Sequence, residues 1–76
     1  MNNYAMRITF PNGYAASIVC HSRSYGGPSG LFEVAVAGPD GELDFTTPVT
    51  EGVVGHLDFH GVAEVLDQIK ALPPKQ

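Results

Sequence analysis

The chain has 76 residues, eight Asp or Glu against four Lys or Arg, a formal net charge of −4, and is 43% apolar but only 16% charged. That length predicts a single domain over residues 1–76, one that buries only about 60% of its unfolded surface, which leaves little room for a deep substrate pocket beside the core and excludes multidomain catalysis. A charged fraction below the roughly 25% usual for soluble domains means that part of the exposed surface is neutral and open to a partner.

In chain order, Tyr4 to Phe10 alternates, with Tyr4, Met6, Ile8 and Phe10 on one side and Ala5, Arg7 and Thr9 on the other, the pattern of a half-buried strand. Asn12-Gly13 follows, a hairpin signal because both residues accept positive φ. A second strand runs from Tyr14 to Cys20 with Ala16, Ile18 and Cys20 on one face. His21 to Gly30 is a polar stretch whose glycines and proline forbid regular structure. Leu31 to Ala37 reads as a central strand, apolar on both faces except at Glu33. Gly38-Pro39-Asp40-Gly41 makes a tight turn with Gly41 in a left-handed bulge position.

Glu42 to Thr46 is the expected fourth strand, with Leu43 and Phe45 inward. Thr50 could cap one short helical turn carrying Val53, Val54 and Leu57. Asp58 is the N-cap of a helix through about Leu72, with Phe59, Val62, Leu66 and Ile69 as its apolar stripe, backed by Ala63, Val65 and Leu72, and Pro73-Pro74 ends it. The expected fold is α+β in two layers: a four-stranded antiparallel sheet (β-β-β-β) with one C-terminal helix packed on one face, and a short helix before it. The helix is expected to cover the face lined by Tyr4, Met6, Ile8 and Phe10. The opposite, neutral face, with Ala5, Arg7, Thr9, Ala15, Ser17 and Val19, is expected to stay partly open and could pair two copies of the chain as a homodimer.

Cys20 is the sole cysteine, so no internal disulfide forms, and a reducing cytoplasm fits. The N-terminus has no leader pattern and no apolar run approaches the roughly 20 residues of a membrane span, so no membrane association is expected. Residues 1–32 carry Arg7 and Arg23 and no acid; residues 33–69 carry eight acids and no base. That segment is either a solvated surface or an acidic face aimed at a basic partner.

Signals for chemistry are weak. His56 and His60 stand four apart, but Leu57 occupies the place where a zinc-protease helix has glutamate. On a strand, Cys20 and His21 point to opposite faces, so the histidine does not activate the thiol. Gly26-Gly27-Pro28-Ser29-Gly30 lacks the lysine and following helix of a phosphate loop. Asp40, Glu42 and Asp44 alternate as calcium ligands do, yet no terminal glutamate completes the series. Neither enzymatic activity, a metal nor any cofactor is expected. Four basic residues cannot hold a nucleic-acid backbone directly. A small acidic domain can instead occupy the basic nucleic-acid groove of another protein.

Phe10-Pro11-Asn12-Gly13-Tyr14, Ser24-Tyr25-Gly26-Gly27, Gly30 to Val36, and Thr47-Pro48-Val49-Thr50 with Val53 to Leu57 together resemble a family of short proteins encoded by phages and prophages. In size and acidity the chain is similar to anti-CRISPR proteins, which bind a Cas protein or complex where DNA or guide RNA would sit. The resemblance implies a non-enzymatic phage inhibitor acting in the host bacterial cytoplasm. On that reading Asp40, Glu42, Asp44 and Glu51 supply acidic contacts and Tyr25 an aromatic anchor. The alternative is a structural or accessory phage homodimer that uses the neutral sheet face.

Overall fold

Strand β1, Tyr4–Thr9, pairs antiparallel with β2, Ala15–Cys20, setting Tyr4 against Cys20, Met6 against Ile18 and Ile8 against Ala16. In this computed structural model, which describes residues 3–49 and 53–74, the two strands meet in a three-residue loop. Phe10 N–H donates to the Tyr14 carbonyl at 2.8 Å and Gly13 N–H to the Phe10 carbonyl at 3.0 Å, with Gly13 at φ 92°. The expected turn, with Asn12 and Gly13 both at positive φ, does not form. Pro11, whose ring holds φ near −65°, favours a turn that needs a left-handed residue only at its end. The Pro39-Asp40-Gly41 loop repeats this geometry, with Gly41 at φ 82° in the expected bulge position.

Strand β3, Phe32–Ala37, is with β2 one of the two interior strands, buried from Val34 to Ala37, and pairs with β2 so that Val34 opposes Ile18 and Val36 opposes Ala16. The fourth strand is not Glu42–Thr46. Only Leu43 bridges back to Ala37, and Asp44 N–H donates to the Val36 carbonyl at 2.8 Å. Then the Asp44 carboxylate accepts from both Thr46 N–H and Thr46 Oγ1, a local partner that competes with the sheet ladder. Leu43 and Phe45 are accordingly exposed rather than inward. The edge strand is instead β4, Val53–Leu57, which pairs with β3 through Ala35, Val34 and Phe32. The short helical turn expected there is therefore a strand. Gly55 weakens any helix, and Val53 and Val54 are β-branched residues suited to a pleated surface. Its expected cap, Thr50, lies outside the described residues. The sheet order is β1-β2-β3-β4, all antiparallel, an α+β domain with one C-terminal helix.

Helix α1, Phe59–Lys70, begins one residue after β4, with the Asp58 side chain accepting from Gly61 N–H at 2.8 Å. It ends two residues earlier than Leu72. Val65 and Ile69 are its buried residues and join Tyr14, Ala16, Ile18, Val34 and Val36 in the core, with Val62, Leu66 and Leu72 packed alongside. Phe59, expected in the apolar stripe, is 80% exposed.

A single side chain ties the far end of the helix to the first hairpin. Asn12 Nδ2 donates to the carbonyls of Ile69 (2.9 Å), Lys70 (3.2 Å) and Leu72 (3.0 Å), while its Oδ1 accepts from Tyr14 N–H. These carbonyls belong to the helix end, where the i→i+4 partner is missing, although Ile69's also accepts from Leu72 N–H at 3.1 Å. The helix therefore starts beside β4 and finishes over the β1–β2 turn. A helix about 10–12 Å wide on this diagonal cannot also roof the start of β1, about 14 Å from β4 at the usual strand spacing. Tyr4 and Met6, expected beneath the helix, are 39% and 44% exposed for this reason.

Candidate partner-binding surfaces

The sheet separates the residues expected to act together. Tyr25 is bonded to Glu33 near the start of β3 and the Asp40–Asp44 turn follows its end, so five residue steps, about 17 Å, separate Glu33 from Gly38.

At the first end, the His21–Gly30 loop is closed on itself. Buried Ser24 takes His21 N–H at 2.9 Å and returns its hydroxyl to the His21 carbonyl at 3.0 Å. A single 3-10 turn, Gly27–Ser29, follows, so the loop holds one regular turn despite its glycines and proline. Cys20 is buried as expected of a small hydrophobe, its Sγ 3.9 Å from the Gly27 carbonyl. The loop is then clamped to β4. Tyr25 N–H donates to Glu33 Oε1 at 3.0 Å, and the Tyr25 carbonyl accepts from His56 N–H at 3.1 Å.

Between the pairs Phe32–Leu57 and Val34–Val54, two residues of β4, Gly55 and His56, oppose Glu33 alone. This is a β-bulge, with His56 in the left-handed region at φ 58°, a costly place for a bulky side chain. A Cβ on Gly55 would lie 2.3 Å from Tyr25 Cβ, so the close approach of loop and bulge requires glycine there. The result is Tyr25, 62% exposed, on a backbone held from two sides. Ser24 and the bulge are the contributors that period-based reading misses; the Gly55-His56 interruption of β4 was the available signal.

At the second end, Asp40 and Glu42 are exposed, with Asp40 Oδ1 accepting from Glu42 N–H at 3.0 Å. Asp44 is buried, with Thr46 as one of its partners, so it serves the turn rather than the outer surface. Glu51 lies outside the described residues. Beside the two exposed carboxylates stand Leu43 and Phe45, which with Gly38, Pro39 and Thr46 line a depression of about 420 Å³.

A third surface was not foreseen. Where the helix leaves β1 uncovered, Tyr4, Met6, Ile8, Phe32, Phe59 and Leu66 line a groove of about 200 Å³. Its head is an aromatic row: Tyr4 meets Phe32 edge-on at 5.5 Å between ring centroids, and Phe32 meets Phe59 at 5.3 Å.

His56 lies on β4 and His60 on α1, where His60 Nε2 is 2.9 Å from Glu64; the four-residue spacing is not one helical turn. Among the described residues no group of three or more His, Cys, Asp or Glu is placed to hold a metal ion, and no helix is long and apolar enough to cross a membrane. No family model, curated protein or solved structure matches this chain.

Proposed function

We propose that the chain is a non-enzymatic protein-binding module that inhibits a basic, nucleic-acid-handling partner, in the manner the phage resemblance implies for an anti-CRISPR protein in the host cytoplasm. The observation that supports this reading is the 38–46 tip, where exposed Asp40 and Glu42 flank exposed Leu43 and Phe45. Carboxylates beside an aromatic suit a basic protein groove: the charges steer encounter and fix orientation, while the ring supplies buried contact area. Asp44 acts indirectly, by holding the turn that presents Phe45. Tyr25, at the other end of the sheet, would meet the partner only if the interface runs the length of β3.

The test is plaquing of a targeted phage on CRISPR-immune hosts that express the chain. Wild type raises plaquing, and the triple variant Asp40→Asn, Glu42→Gln, Phe45→Ala, folded by circular dichroism, does not. No rise on any immune host, or full protection by the triple variant, refutes the reading.

A further inference from the structure

The two edges of the sheet are treated differently. Edge β4 is short, interrupted by the Gly55–His56 bulge and covered by the Tyr25 backbone. Edge β1 is six residues long, pairs with β2 in unbroken register and carries no proline, no bulge and a single charge, Arg7. Proteins normally blunt such an edge, because its free N–H and carbonyl groups template a further strand. Phe10 turns its N–H and carbonyl toward the β2 side. By antiparallel alternation Ile8, Met6 and Tyr4 do the same, which leaves those of Ala5, Arg7 and Thr9 on the open edge.

We propose that two copies of this chain pair through β1 about a two-fold axis at Met6, joining their sheets into one and their aromatic grooves into one apolar seam. The register follows from exclusion: an axis at Ala5 or Tyr4 overlaps at most three residues of each Tyr4–Thr9 strand, against five for an axis at Met6. An axis at Arg7 would set two guanidinium groups directly opposite each other, which is destabilising. An axis at Ile8 would place Ala5 opposite Pro11, which has no N–H to donate. With Met6 on the axis, Met6 faces Met6, Tyr4 faces Ile8, and Ala5 bonds with Arg7. All six apolar side chains, three from each copy, then lie on the groove side of the sheet. No acid precedes Glu33, so no carboxylate of β1 or β2 enters the seam.

The occupant is a second copy because the strand is self-complementary in this register and its exposed apolar side chains are those the register pairs. At about 150–250 Å² for a full aromatic side chain, Tyr4 (39% exposed) offers roughly 60–100 Å² per copy. With Met6 and the strand backbone, the area stays below the lower end of stable specific interfaces, about 600 Å² per partner, which corresponds to a weak dimer. This seam is distinct from the sheet face opposite the helix and from the 38–46 tip.

Sedimentation equilibrium of the full chain, from micromolar to hundreds of micromolar, tests the proposal. The expected result is a dimer with a micromolar dissociation constant that salt barely changes. Arg7→Pro removes an outward N–H without breaking a β1–β2 bond, and should weaken the dimer at least tenfold while the circular dichroism spectrum is retained. In a Cys20→Ala background, Met6→Cys should form an intermolecular disulfide far faster than Ile8→Cys, because only residues on the axis face their own copy. A monomer at the highest concentration, a dimer indifferent to Arg7→Pro, or equal cross-linking at the two positions overturns the proposal.

Discussion

Replacing Asn12 with alanine should be among the most costly single changes outside the core. The side chain has two N–H donors for the carbonyls of Ile69, Lys70 and Leu72, and one acceptor for Tyr14 N–H. Truncation removes about three net hydrogen bonds at about 1 kcal/mol each, and the carbonyl of buried Ile69 loses a partner. The expected loss is about 3 kcal/mol, against roughly 4–11 kcal/mol for the stability of a domain of this size. The melting temperature should fall by about 12–24 °C. Urea titration followed by far-ultraviolet circular dichroism measures the change, with a lowered midpoint and an unchanged slope. Asn12→Asp keeps the acceptor for Tyr14 but sets a carboxylate against three carbonyls, so at pH 7 it should cost more than alanine. A loss below about 1 kcal/mol for alanine, or an aspartate variant as stable as wild type, would refute the reasoning.

Changes at three further positions probe the loop, the bulge and the helix start. Gly55→Ala forces a methyl to within 2.3 Å of Tyr25 Cβ, and should cost about 1–3 kcal/mol. It should also speed amide exchange at His56, whose N–H is held by the Tyr25 carbonyl. His56→Gly relieves a left-handed backbone at about 1–2 kcal/mol but adds chain entropy of about 0.5–1 kcal/mol, so it should be neutral to mildly stabilising. His56→Val should destabilise, and thermal melts that rank valine above glycine would contradict the strain at φ 58°. Asp58→Ala loses the cap on Gly61 N–H and should cost about 1 kcal/mol, whereas Asp58→Asn should retain most of it; equal losses in denaturant titration would rule out capping as the cause.

Much of the fold was legible because its signals are local. Alternation in Tyr4–Thr9 and Ala15–Cys20, the apolar run of β3, the Gly38–Gly41 turn, the Asp58 cap and the proline stop each depend on a few adjacent residues. Strand β4 was not legible, since Gly55 and a left-handed His56 break its period where the loop backbone docks. The acidic segment was visible as composition, but burial of Asp44 and its bond to Thr46 were not, because that carboxylate could equally have faced solvent on a strand.

The sequence by itself determined the two-layer α+β class, the first three strands, the second turn with Gly41 in its bulge position and the start of the helix. Only the tertiary structure decided which strand closes the sheet, that Asp44 turns inward to bond Thr46, and that the aromatic groove is open. The reason is geometric. A one-residue link from β4 and the Asn12 staple, 57 residues from Ile69 in the chain, together set the diagonal of the helix, and that diagonal leaves Tyr4, Met6 and Phe59 in solvent.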